Sequence, residues 1–211
     1  MYEAEKHALE EYIFNLVKSN NSRALKVAVL TRDISSKIEE IIIDDFIDKL
    51  DLKLNKNGIR RSPPLLHSFY KQYDSIRWRS PDWRKGWFIG IEFGLPNLRE
   101  AGFGFCAPDS VAARDPAAKD YDTMDGELRL KLVADIRKTS FKSGLHREWP
   151  WWPAFFQAAG LRNWLETECL LKLAGVELHD GVSFVDWLAD DLDLLYRTVD
   201  KVLSEQAPPP T

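Results

Sequence analysis

Cysteine is scarce in this sequence. Cys106 and Cys169 are the only two, too few for the disulfide framework of a stapled secreted domain. Cys106 is followed by Ala107 and Pro108, with no second metal ligand nearby. Histidine is nearly as rare: His7, His67, His146 and His179 stand in no recognisable spacing. His146-Arg147-Glu148 has a His-x-Glu form, but the Pro-Cys-x-x-Cys half of a zinc deaminase site is missing. No metal and no cofactor is expected. Long apolar runs are absent as well, none approaching the ~18 residues of a membrane span. The chain begins Met-Tyr-Glu-Ala-Glu, polar and acidic where a secretory leader is basic and then apolar. These features together predict a cytoplasmic protein with no membrane partner. Neither sign of charge dominates: 29 basic residues face 33 acidic ones, for a net charge of -4. That excludes a globally basic nucleic-acid coat and a strongly acidic disordered chain. Phosphate-binding glycine loops are missing too, since Gly102-Phe103-Gly104 has neither a third glycine nor a following helix.

What the chain does have is length, apolar content and tryptophan. It has 211 residues, 45% of them hydrophobic, and eight tryptophans. A chain of this size buries roughly 70% of its unfolded surface, enough for a core without staples. Leu9, Tyr12, Ile13, Leu16 and Val17 follow the spacing of one buried helical face. A second helix is predicted from about Ser35 to Leu54, with Ile34, Ile38, Ile41, Ile42, Phe46 and Leu50 as its stripe. Ile43, Ile47 and Leu54 widen that stripe enough to predict cover on more than one side. Between these helices, Arg23 to Arg32 reads equally as helix or strand. After Gly58 and Pro63-Pro64 the pattern changes to period 2. Trp87, Ile89, Ile91 and Phe93 alternate with Phe88, Gly90, Glu92 and Gly94, and Phe103 and Phe105 alternate with glycines. With Leu95-Pro96-Asn97 between them, these segments predict an antiparallel hairpin, preceded by a strand through Ile76 and Trp78. Helices are predicted from near Thr123 to Lys138, from Leu161 to Ala174 with Gly175 as C-cap, and from Ser183 or Asp180 to about Glu205. The fold class expected is α+β: a small antiparallel sheet packed against helices, with an N-terminal helical segment over 1–60, an α+β module with a Trp-rich core over 61–206, and a flexible tail over 207–211.

The sequence carries no intact catalytic motif. A PD-(D/E)XK nuclease needs an Asp and then a strand bearing Asp/Glu-x-Lys, so that carboxylates hold the metal and lysine supports the attacking water. Pro81-Asp82 and Glu92-Phe93-Gly94 begin that pattern, but Gly94 stands where the lysine belongs. Pro108-Asp109 with Glu127-Leu128-Arg129 fails in the same way, with arginine for lysine and helix for strand. The strongest electrostatic signal is the stretch from Arg60 to Lys85. It carries Arg60, Arg61, Lys71, Arg77, Arg79, Arg84 and Lys85 against Asp74 and Asp82, with Tyr70, Tyr73, Trp78 and Trp83 interleaved. Arginines reach phosphates and aromatics stack on bases, so Arg77, Arg79, Trp83, Arg84 and Lys85 are the candidate nucleic-acid-binding residues. The same residues also read as a solvated basic face over a tryptophan core. The C-terminal region is acidic, with Asp186, Asp190, Asp191, Asp193 and Asp200 among its carboxylates. It is expected to pair with the basic stretch or to form half of a protein contact. Trp149-Pro150-Trp151-Trp152-Pro153 reads as a rigid connector whose rings either fill the space between sheet and helices or serve as anchors of an interface.

The order of these landmarks is familiar: spaced tryptophans, the strand from Trp87 to Phe93, the strand Gly102-Phe103-Gly104-Phe105, a helix, Trp149-Pro150-Trp151-Trp152, Trp164 and a long acidic final helix. It resembles the C-terminal, non-catalytic module of certain bacterial PD-(D/E)XK nuclease-superfamily proteins, some of them associated with phage defence. The resemblance covers about Ser35 to Glu205. It implies a recognition or accessory role beside a nuclease or nucleic acid, and it carries over no catalytic residue, because the catalytic half is not in this chain. The chain is then either an excised C-terminal piece or a short protein that uses the module alone. Two other functions stay open: a diverged metal-dependent nuclease, and a structural module that forms homo-oligomers through its N-terminal helices.

Overall fold

In the computed structural model of the chain, the first helix, α1, spans Ser22–Lys56. The structure describes residues 7–8, 11, 22–62, 72–73, 75–142, 145–157 and 162–205; over 22–34 and 145–146 it describes the backbone. The segment from Arg23 to Arg32, open between helix and strand in sequence, is helical. The helix expected through Leu9 and Val17 lies outside the described residues. The chain divides into two units, Met1–Ile42 and Ile43–Thr211. In the first, Ile38 is 43% and Ile41 57% exposed. In the second, Ile43, Phe46, Ile47, Leu50 and Leu54 are buried, at the i, i+3, i+4, i+7 spacing of one helical face. Of the described residues of the stripe, Ile38 and Ile41 are exposed, Ile42 is half-buried, and those from Ile43 onward are covered. Phe46 anchors the covered part, stacked on Phe184 and edge-on to Trp164. The helix stops at Gly58, whose positive φ of 80° lets Ile59 N–H bond back to the Leu54 carbonyl.

The second unit is an α+β fold. Six strands form one antiparallel sheet in the order β1-β2-β3-β4-β6-β5. They are β1 (Arg60–Ser62), β2 (Ser75–Arg79), β3 (Phe88–Leu95), β4 (Arg99–Cys106), β5 (Leu145–Arg147) and β6 (Ala154–Gln157). The hairpin predicted from period-2 alternation is β3–β4, in register Ile89↔Phe105, Ile91↔Phe103 and Phe93↔Ala101. Strand β6 is an addition: the sequence reading assigns no element between the connector that ends at Pro153 and the helix expected from Leu161. Ala154, Phe155 and Phe156 pair with Phe105, Gly104 and Phe103, so the strand extends the sheet beyond the hairpin.

Helices cover one face of this sheet. The remaining ones are α2 (Gly126–Lys138), α3 (Thr167–Leu173) and α4 (Phe184–Ser204). Ile76, Trp78, Ile89, Ile91, Phe93, Phe103 and Phe105 all project to that face and are buried there. Trp187 of α4 meets Phe103, and Trp83 stacks on Tyr196. Each such side chain contributes roughly 1.5–3 kcal/mol on burial. Caps set the helix starts. Asp125 accepts from Glu127 N–H at 2.8 Å, and Ser183, rather than Asp180, accepts from Asp186 N–H at 3.2 Å. Helix α3 is shorter than its periodicity suggests. Trp164 wedges between Phe46 and Phe93, its backbone N–H donates to the Leu98 carbonyl of the β3–β4 turn at 3.0 Å, and the Arg162 carbonyl accepts from Ala101 N–H of β4 at 2.7 Å, which holds that stretch against the sheet instead of in a helix. A void of about 20 Å³, space for one water, lies beside Ile91, Trp164 and Trp187.

Candidate functional site

The opposite face of the sheet carries the polar chemistry. Alternation places Ser62 of β1, Ser75, Arg77 and Arg79 of β2, Phe88, Gly90, Glu92 and Gly94 of β3, and Gly102, Gly104 and Cys106 of β4 on this side. Its floor is flat because glycines form the middle. A Cβ on Gly104 would stand 2.1 Å from the Ala154 carbonyl oxygen, and one on Gly102 would stand 2.3 Å from the Phe155 ring. One half of this floor is roofed by a small aromatic cluster: Phe88, Cys106, Trp152 and Phe155, with Tyr121 and Trp151 packed against it. The roof hangs from the tryptophan-proline segment, which folds back on itself. Trp149 and Trp152 exchange backbone bonds of 2.8 and 2.9 Å, and Arg129 donates to the Trp149 and Pro150 carbonyls.

At the edge of the roof lies an open cleft of about 290 Å³, with Arg77, Arg79 and Lys85 among its lining residues. Ser62, Gly86, Trp87, Phe88, Asp120 and Tyr121 complete the wall. Arg77 is held on three sides. Its Nε donates to Ser75 Oγ at 2.8 Å, its guanidinium donates to the Tyr121 hydroxyl at 3.0 Å, and its plane lies 4.5 Å over the Phe88 ring. Arg79 donates to the backbone carbonyls of Ser80 and Trp83. Across the strand pair, Arg60 of β1 stands directly opposite Arg79. Like charges facing each other in this way cost free energy unless an anion lies between them. Among the described residues, none of the ion pairs includes Arg60, Arg77 or Arg79. Lys85 is 3.6 Å from Asp120, and both side chains are 68% exposed, so that pair is weak and screened.

Tyr121 reaches the cleft from far along the chain. Asp122 fixes it: its N–H donates to the Lys85 carbonyl, its carboxylate accepts from Lys85 N–H, and its carbonyl accepts from Trp87 Nε1 at 2.6 Å. Gly86 is required beneath the phenol ring. Its φ is 82°, and a Cβ there would lie 2.6 Å from the Tyr121 ring.

Glu92 stands further along the same face. Burial pushes its carboxyl up to about 7, against the opposing pull of the Arg77 charge. Burial also raises the Cys106 thiol well above its ordinary value, with the Glu92 charge adding to that rise and Arg77 opposing it. Cys106 is therefore a protonated, packed thiol. No three His, Cys, Asp or Glu side chains among the described residues converge to hold a metal, and no described helix is long and apolar enough to cross a membrane.

Of the five residues expected to bind nucleic acid, the structure brings Arg77, Arg79 and Lys85 into one cleft. Arg84 is exposed but lies 5.1 Å over the Trp87 ring and does not line it. Trp83 is only 4% exposed: its ring stacks on Tyr196, meets Phe105 edge-on, and donates from Nε1 to Asp200 at 3.1 Å. It is a core residue, and no base can stack on it; Trp78, which donates to Asp51 at 2.6 Å, is buried as well. The acidic final helix does not neutralise the arginines of the cleft. Asp186, Asp190, Asp193 and Glu205 pair with Lys53, Lys142, Arg197 and Lys131. Sequence reading missed Ser62, Tyr121 and Glu92 as parts of the site. Arg60 was legible as part of the basic stretch, but not as the partner facing Arg79. Comparison of the chain with family models, curated proteins and solved structures returns no match.

Proposed function

We propose that this chain is a non-enzymatic recognition module whose cleft grips the phosphate backbone of nucleic acid, working as an accessory to a nuclease. One observation carries the reading: Arg77 and Arg79 line a single cleft, Arg60 faces Arg79, and no described carboxylate is paired with any of the three. The hydrogen-bond partners of Arg77 and Arg79 are neutral, which leaves their guanidinium charge available to an anion, and their planar donors suit phosphate oxygens. The resemblance of the Trp-rich module to accessory parts of bacterial nucleases, including those of phage defence, supplies the setting, a cytoplasmic one.

Three guanidiniums predict weak binding that falls steeply with salt, with a log–log slope of roughly -3 on duplex DNA and about -2 on single strands. Because Trp78 and Trp83 are buried, the preference for single strands that stacking would give is not expected. Fluorescence anisotropy at about 50 mM salt tests this. Arg77→Ala combined with Arg79→Ala should weaken binding to both forms alike and reduce the slope by roughly 2. Undetectable binding to both forms would refute the nucleic-acid reading and leave protein recognition in its place.

A further inference from the structure

We propose that Glu92 is a proton switch for the cleft: an anion seated against Arg77 is held more tightly when the Glu92 carboxyl is protonated than when it is ionised. This inference rests on reading the cleft as an anion site. Glu92 and Arg77 lie on adjacent strands and on the same face. Glu92 is opposite Ser75, and Arg77 is opposite Gly90, so the two are diagonal neighbours. Arg77 Nε is bonded to Ser75 Oγ, on the Glu92 side, while the other end of the guanidinium bonds the Tyr121 hydroxyl in the cleft wall. Arg77 thus lies between the Glu92 position on the sheet and the cleft, close enough for its charge to act on the Glu92 carboxyl. Glu92 itself does not line the cleft, and among the described residues its carboxyl makes no hydrogen bond or ion pair. Ionised Glu92 and a bound anion share the one guanidinium from opposite sides and repel each other; protonation removes the competitor.

Among the described residues, the groups facing Glu92 leave it as the one that changes charge near neutrality. From β2 come Ser75 and Arg77; from β4 come Glu100 and Cys106; from the roof comes Tyr121. The Cys106 thiol and the Tyr121 phenol are both raised by burial and stay protonated. Glu100 is paired with Arg162. The ordering of Glu92 itself, pushed up to about 7, puts the switch within reach of ordinary solution pH. Linkage fixes the sign. Bound anion raises the Glu92 carboxyl further, so binding takes up a proton and affinity rises as pH falls.

The test is calorimetry on the full chain with a short DNA duplex bearing hydroxyl ends, whose phosphodiesters do not titrate in the range used. From about pH 8.5 to about pH 6 the affinity should rise roughly three- to tenfold, the effect of removing one nearby charge in a screened site. Near pH 7, two buffers of different ionisation enthalpy should report uptake of a fraction of a proton on binding. Glu92→Gln, neutral at every pH, should bind with the low-pH affinity throughout and take up no proton. An affinity independent of pH in the unaltered chain overturns the switch while leaving the cleft reading intact. So does a pH dependence that persists in Glu92→Gln, which would belong to the histidines. No binding at any pH overturns both.

Discussion

A carboxyl that holds its proton to about pH 7 has a consequence for stability that is independent of any ligand. Burial raises Glu92 from 4.5 to about 7 in the fold, the larger effect of burial offset in part by Arg77. An unfolded chain releases that proton near the ordinary value. The stability associated with the protonated form is therefore fully present below about pH 4.5 and is lost as pH rises through about 7. At about 1.4 kcal/mol per unit, the loss amounts to roughly 3 kcal/mol by pH 8. Glu92→Gln places a neutral group of the same shape in the same site and avoids that loss. The variant and the parent chain should have equal urea midpoints near pH 4.5 and diverge as pH rises. With a slope of about 1–3 kcal/mol/M, the variant midpoint should be higher by about 1–3 M at pH 8. Tryptophan emission follows the transition, since Trp78, Trp87 and Trp164 are buried in the fold. Arg77→Ala supplies an internal check, because without the guanidinium the carboxyl should hold its proton to still higher pH. Equal midpoints at pH 8, a less stable Glu92→Gln there, or a difference that does not vary with pH would refute the reasoning.

Trp83→Ala removes a buried ring and leaves Asp200 without its indole donor, so it should cost roughly 3–5 kcal/mol in chemical denaturation while leaving the affinity of the folded fraction for DNA unchanged. Gly104→Ala forces a methyl group against the Ala154 carbonyl; it should cost about 1–3 kcal/mol, and hydrogen exchange should show protection lost at Phe155 and Phe156 first. Ser183→Ala removes the cap of α4 and should lower stability by about 1 kcal/mol, read from the denaturation midpoint. The Cys106 thiol, buried and protonated, should resist alkylation at about pH 8 until the chain is unfolded, as mass spectrometry of the labelled peptide would show.

Periodicity carried the reading of the fold where one face of an element is buried and the other is not. The strands through Ile89 and Phe103, and the helix through Leu128 and Ile136, were legible for that reason. It failed where tertiary contacts override it. Trp164 holds its segment against the sheet, so the helix expected from Leu161 to Ala174 forms only over Thr167–Leu173. Strand β6 escaped because its residues Ala154, Phe155 and Phe156 are all buried and do not alternate, and because prolines precede it. For the site, charge clustering found Arg77, Arg79 and Lys85 but could not separate them from Trp83. A basic stretch says nothing about which way each side chain points, and Trp83 turns inward to Asp200 and Tyr196. Tyr121 had no local signal, and Glu92 drew notice only as the first residue of a broken Asp/Glu-x-Lys pattern. One arrives through a distant segment, and the other becomes unusual only when the fold removes its water.

The strand order bears on when the cleft comes into existence. Strands β2, β3 and β4 follow one another through short connections, so their meander closes at small entropic expense. Strand β6 joins β4 only after the chain has travelled through residues 107–153, including α2 and β5. Long-range closures of this kind form late. Arg77 and Arg79 belong to the early meander, whereas Tyr121 belongs to the returning segment and reaches Arg77 only once Asp122 has met Lys85. On the reading proposed above, a chain with only its meander paired would present Arg77 and Arg79 without the Tyr121 wall, so native anion capture would await the long-range closure.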